Sequence, residues 1–138
     1  MKKKFTAVVL CIAFLFAMSV PAFAATDTKG SGIHLQYVYI NDISSTVSTN
    51  GGTAKVYARL RGTSSVTRIV ISTELQQYNG GWSTIASWTQ TTYGNSATLL
   101  KSSSISSGYY YRAVSTFDVY NGGSLETATK TSNEVLYR

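Results

Sequence analysis

The sequence predicts an all-β, antiparallel sandwich of about seven strands behind a cleaved signal peptide. Three observations predict it. After position 24, apolar residues alternate with polar ones and never recur at helical spacing. Asn-Gly-Gly triplets begin at Asn50, Asn79 and Asn121, and Asn-Gly tolerates the positive φ that tight hairpins require. The segments between are rich in Val, Ile, Thr, Tyr and Trp, residues that suit a pleated surface.

The first residues read as a targeting segment. Lys2, Lys3 and Lys4 form a positive start, residues 5–20 are apolar, and Ala22-Phe23-Ala24 is a small-x-small cleavage site. Cleavage is expected after Ala24. Residues 25–32 are small, polar and aperiodic, a loose tail, and residues 33–138 are expected to form one domain. Three lysines leave with the signal, which halves the formal net charge of +6. The remaining basic residues are scattered, which argues against a nucleic-acid or polybasic membrane surface. The one cysteine, Cys11, and the one proline, Pro21, both belong to the signal. The mature domain is therefore disulfide-free, as is common for proteins exported by Gram-positive bacteria. It must rely on apolar burial and ladder hydrogen bonds.

The strands follow in order. Residues 34–40 (HLQYVYI) read as the first, with a bend at Asn41-Asp42 and a continuation over 43–49. After the first Asn-Gly-Gly turn, Ala54, Val56, Ala58 and Leu60 form one face of a half-buried strand, and Lys55, Tyr57 and Arg59 form the other. Residues 61–65 make a polar loop. Residues 66–78 are the longest candidate, with Ile69, Ile71, Thr73 and Leu75 on one face. The second turn leads into residues 82–90, residues 91–95 form a loop, and 96–101 are a short strand. Residues 109–118 alternate cleanly, with Tyr109, Tyr111, Ala113, Ser115 and Phe117 opposite Tyr110, Arg112, Val114, Thr116 and Asp118. The third turn precedes a closing strand over 124–138, with Val135 and Tyr137 on one face.

Trp82 and Trp88 are six positions apart, so a regular strand puts both on one face, with Ile85 on the other; a bulge alone would separate them. Burying tryptophan contributes more than burying one isoleucine, so Trp88 is expected inward. Trp82 follows the glycines at the sheet's rim and is the leading exposed contact, with Tyr78 across the hairpin.

Ile105 stands six residues before Tyr111, at the start of an alternating strand. This spacing, with the following Arg112-Ala113-Val114, is similar to the penultimate strand of fibronectin type III and immunoglobulin-like domains, with Tyr111 at the corner tyrosine. The resemblance implies a buried Tyr111 whose hydroxyl bonds backbone. The whole mature chain also resembles small secreted proteins of Gram-positive bacteria with no assigned function. The shared features are residues 75–82 (LQQYNGGW), the GYYYR run at 108–112 and Thr-Lys-Thr-Ser at 129–132. The domain departs from fibronectin modules in lacking proline and from antibody domains in lacking the cysteine pair, so neither family's binding function carries over.

Catalysis is poorly provided for. The six acids fall in no motif, no Gly-x-Ser-x-Gly elbow occurs, and His34 is the single histidine. No enzyme activity, cofactor or metal is expected. The functional hint is the aromatic content of 10 Tyr and 2 Trp. Tyr57, Tyr110 and Tyr39 are expected to face outward with Trp82 and Tyr78. Such rings can stack on sugars, although tyrosine also favours strands for their own sake. The expected function is a non-catalytic structural or protein-interaction module at or outside the cell surface, with loose association with the wall as one expected location. The alternative is a carbohydrate- or cell-wall-binding module that uses surface aromatics. Partners would be a cell-wall or environmental glycan or another surface protein.

Overall fold

The computed structural model describes residues 36–138. The signal peptide with its Ala24 cleavage site, the tail at 25–32, and His34 lie outside the described residues. Eight strands follow one another: β1 (Ile40–Asn50), β2 (Thr53–Gly62), β3 (Arg68–Tyr78), β4 (Trp82–Tyr93), β5 (Ser96–Ser104), β6 (Tyr109–Asn121), β7 (Ser124–Thr131) and β8 (Val135–Tyr137). A three-stranded sheet has the order β1-β2-β5, and a larger five-stranded sheet has the order β4-β3-β6-β7 with β8 beside β6. Every pairing is antiparallel. The two sheets form an all-β sandwich, and no helix occurs among the described residues.

The alternation in the sequence builds the interior. Ala54, Val56, Ala58 and Leu60 of β2 are fully buried, as are Ile69, Ile71 and Leu75 of β3 and Tyr111, Ala113 and Phe117 of β6. Two apolar clusters result. One gathers Leu60, Ile69, Ile71, Leu99, Phe117 and Val119; the other gathers Val47, Val56, Leu75, Tyr111 and Ala113. Between them, on β1, β3 and β6, the inward positions are Ser45, Thr73 and Ser115, all buried. The Ser115 hydroxyl lies 2.9 Å from those of both Ser45 and Thr73. This chain of hydroxyls links the two sheets and satisfies groups whose burial would otherwise be costly.

Tyr111 is wholly buried in the second cluster, with Ile105 packed beside it. Its hydroxyl donates to the Ser106 carbonyl at 2.7 Å and accepts from the Ser106 N–H at 3.1 Å. The ring thus ties β6 to the connection that precedes it.

Several boundaries differ from the sequence reading. The first strand starts at Ile40 rather than ending there, and the register shifts between Ile40 and Asp42, where the sequence placed a bend. Residues 36–39 lie outside the ladder. The Glu126 carboxylate accepts the N–H groups of Val38 and Tyr39 at 2.7 and 2.8 Å, and Thr63 N–H donates to the Tyr39 carbonyl. These partners replace a neighbouring strand. Tyr39, expected outward, packs against the first cluster. The third strand begins at Arg68, yet Val66 is still buried, from the loop. β6, at 13 residues, is the longest strand, rather than the one over 66–78. The closing strand is broken in two. Asn133 Nδ2 donates to the Val47 carbonyl and its Oδ1 accepts the Val47 N–H, at 3.0 and 3.1 Å, so the chain leaves β6 to clasp β1. It returns as β8, where the Tyr137 hydroxyl accepts the Gly52 N–H at 2.7 Å.

Candidate binding face

The facing of the core fixes the outer face of the larger sheet. With Ile69, Ile71, Thr73 and Leu75 inward, the residues between them on β3 point out, together with their partners on β4 and β6. One irregularity redirects part of β4. Leu75 pairs with Ala86 but Gln76 pairs with Thr84, which leaves Ile85 as an extra residue. This is a bulge, and it inverts the alternation beyond it. The regular strand that would put Trp82 and Trp88 on one face is therefore not found. Trp88 pairs with Thr73 and packs inward against both apolar clusters. Trp82 pairs with Tyr78, which in turn pairs with Tyr110, on the outer face. Ile85, displaced from the ladder, is 40% exposed.

Trp82, Tyr78 and Tyr110 thus form one row across β4, β3 and β6. The Tyr78 and Trp82 ring centroids are 5.3 Å apart with planes tilted by 58°. Tyr78 is 44% exposed and Tyr110 46%. The Arg112 guanidinium lies 4.1 Å from the centroid of the Trp82 ring. Its Nε donates to Gln76 Oε1 at 2.9 Å, and its Nη1 lies 3.9 Å from Glu134 Oε1. Glu74 Oε2 accepts from Thr84 at 2.8 Å and from the Gln76 amide at 3.2 Å. Tyr78, Trp82, Tyr110 and Glu134 line a shallow depression of about 230 Å³.

This arrangement suits binding. Three aromatic rings line the depression, with the Glu134 carboxylate at its edge and the Arg112 guanidinium over one face of Trp82. Glu134 is the one carboxylate lining the depression, whereas paired-carboxylate chemistry needs two. Among the described residues, no group of three or more His, Cys, Asp or Glu side chains could hold a metal. Tyr57 does not join the site. It lies on the outer face of the smaller sheet, between Thr46 and Leu100. Tyr111, Ile105 and Trp88 face the interior.

Sequence reasoning did not select Arg112, Gln76 or Glu134. Arg112 shares the outward face of Tyr110, which is a usable signal. Glu134 lies in the break between β7 and β8, and no pattern in the chain announces it. A polar hollow of about 330 Å³ lies where β1 is irregular, lined by Asn41, Asp42, Arg61, Gly62, Asn95 and Ser96. It contains no aromatic ring. No protein-family model matches the chain, and the comparison with curated proteins finds no match.

Proposed function

We propose that the chain is an exported, non-catalytic binding module whose contact surface is the outer face of the larger sheet at Trp82, Tyr78 and Tyr110. The carrying observation is the row of rings, exposed at Tyr78 and Tyr110 and half-buried at Trp82, beside Arg112 and Glu134. Clustered aromatics with a neighbouring arginine are the composition of contact hot spots. Export rests on the charged start, apolar run and Ala24 site in the sequence. The reading of the domain as fibronectin type III- or immunoglobulin-like is supported by the strand order and by the Tyr111 hydroxyl bonded to backbone. The likeness to small secreted proteins of Gram-positive bacteria fits a role at or outside the cell surface, as a structural or protein-interaction module.

A second reading, carbohydrate or cell-wall binding, is favoured by one feature. The depression is shallow and pairs flat rings with hydrogen-bonding groups at its rim, the chemistry a sugar ring presents in reverse. Retention on purified peptidoglycan and on a glycan array, beside binding to purified surface proteins, tests both readings. Trp82→Ala and Tyr110→Ala should each weaken the interaction by about tenfold or more, as removal of a hot-spot ring does. Variants that fold and bind like the parent would remove this face from consideration.

A further inference from the structure

The row at Trp82 has a counterpart at the far end of the same face. There, Tyr93 pairs with Arg68, Arg68 with Tyr120, and Tyr120 with Leu125, across β4, β3, β6 and β7. Since Ile69 and Val119 are buried, Arg68 and Tyr120 point outward. The Arg68 guanidinium lies 3.8 Å from the Tyr120 ring centroid, as Arg112 does over Trp82. Tyr93 is 82% exposed. Ten residues of β3 separate Tyr78 from Arg68, and ten of β6 separate Tyr110 from Tyr120, so the rows stand roughly 33 Å apart along the strands.

Between them the face is hydroxylic. Ser72, Thr89, Thr91, Thr116, Thr127 and Thr129 point out, and Val70 and Val114 are the apolar interruptions. Charges on the face leave a small acidic excess. Arg68 and Arg112 are set against Glu74, Asp118 and Glu134, and Glu74 and Asp118 accept hydrogen bonds from Thr84 and Thr127. A protein-docking patch has an apolar centre and a polar rim. This face has the inverse layout, with rings at both ends and hydroxyls in the middle.

We infer that the whole face is one extended site for a neutral, linear polysaccharide, gripped by stacking at the Trp82 row and again at the Tyr93 row. This rests on the proposal that the outer face is the contact surface. A repeating chain of sugar rings presents apolar ring faces for the two aromatic rows and hydroxyl edges for the serines and threonines. The small acidic excess disfavours a polyanion and leaves a neutral polymer as the ligand. Engaging both rows makes the second contact intramolecular, so affinity rises with ligand length until the ligand spans them.

The test is a length series of neutral linear oligosaccharides, glucose- and N-acetylglucosamine-based, from disaccharides to chains longer than the span. It is measured by calorimetry on the parent, Trp82→Ala and Tyr93→Ala, with anionic glycans and purified surface proteins in parallel. Tyr93 is too exposed for its truncation to unfold the domain, and circular dichroism checks this. Affinity should climb with length. Tyr93→Ala should lose about tenfold or more on long chains and nothing on short ones, while Trp82→Ala should lose on both. If Tyr93→Ala binds long chains like the parent while Trp82→Ala weakens, the extended site is refuted and the contact surface stands. If neither variant matters, both proposals fall. Binding of anionic glycans or a surface protein, with no neutral chain retained, also overturns the inference.

Discussion

Tyr110 and Tyr111 are neighbours in the chain and occupy opposite environments. One is 46% exposed on the sheet's outer face; the other is fully buried, with its hydroxyl spent on both backbone groups of Ser106. Removing the hydroxyl of Tyr111 leaves the part-buried carbonyl and N–H of Ser106 without their partner, and a cavity in the core where the hydroxyl sat. Tyr111→Phe should therefore cost about 1–3 kcal/mol, whereas Tyr110→Phe should cost little. Chemical denaturation of the two variants checks this, and equal stabilities would contradict the facing. These assignments were legible in the sequence, because period-two alternation fixes the facing once one residue is placed. Glu126 and Asn133 were not legible. Their partners lie 86 to 88 residues away in the sequence, and no local pattern pairs a side chain with a backbone group so distant along the chain.

At the scale of the strand, the extra residue Ile85 decides what β4 presents. It places Trp88 beside Thr73 in the interior and Trp82 beside Tyr78 outside. Fluorescence should report both. Emission surviving in Trp82→Phe, from Trp88, should be blue-shifted and poorly quenched by iodide; emission surviving in Trp88→Phe should be redder and better quenched. Deleting Ile85 changes no pairing on either side of it, so both emissions should keep their positions. If the deletion moves Trp82 inward, the bulge has been misplaced. The sequence named a bulge as the one way to split the tryptophans but held no sign of where it lies, since neither Gly nor Pro marks it. The late start of β1 was hidden for a related reason. Residues 36–39 have strand composition, but Glu126 takes the backbone N–H groups of Val38 and Tyr39 in place of a ladder.

At the scale of the whole molecule, the interior is divided by the hydroxyls of Ser45, Thr73 and Ser115. Ser115→Ala leaves the other two buried hydroxyls without a partner and should cost about 1–3 kcal/mol. Replacing all three (Ser45→Ala, Thr73→Val and Ser115→Ala) removes every polar group at once and should cost less than the single change. Thermal melts of the two proteins decide it; a triple variant less stable than Ser115→Ala would show that the hydroxyls contribute more than their mutual satisfaction. The clasps that hold β1 have a consequence in time. Glu126 reaches Val38 across 88 residues, Asn133 reaches Val47 across 86, and Tyr137 reaches Gly52 across 85. A chain that emerges amino end first can close its first hairpin early, but the groups that seat that hairpin are made 85 to 88 residues later. Such distant closures are slow steps. The nascent chain therefore waits for Glu126, Asn133 and Tyr137, and until they arrive β1 stays open to proteases and to pairing with the wrong neighbour.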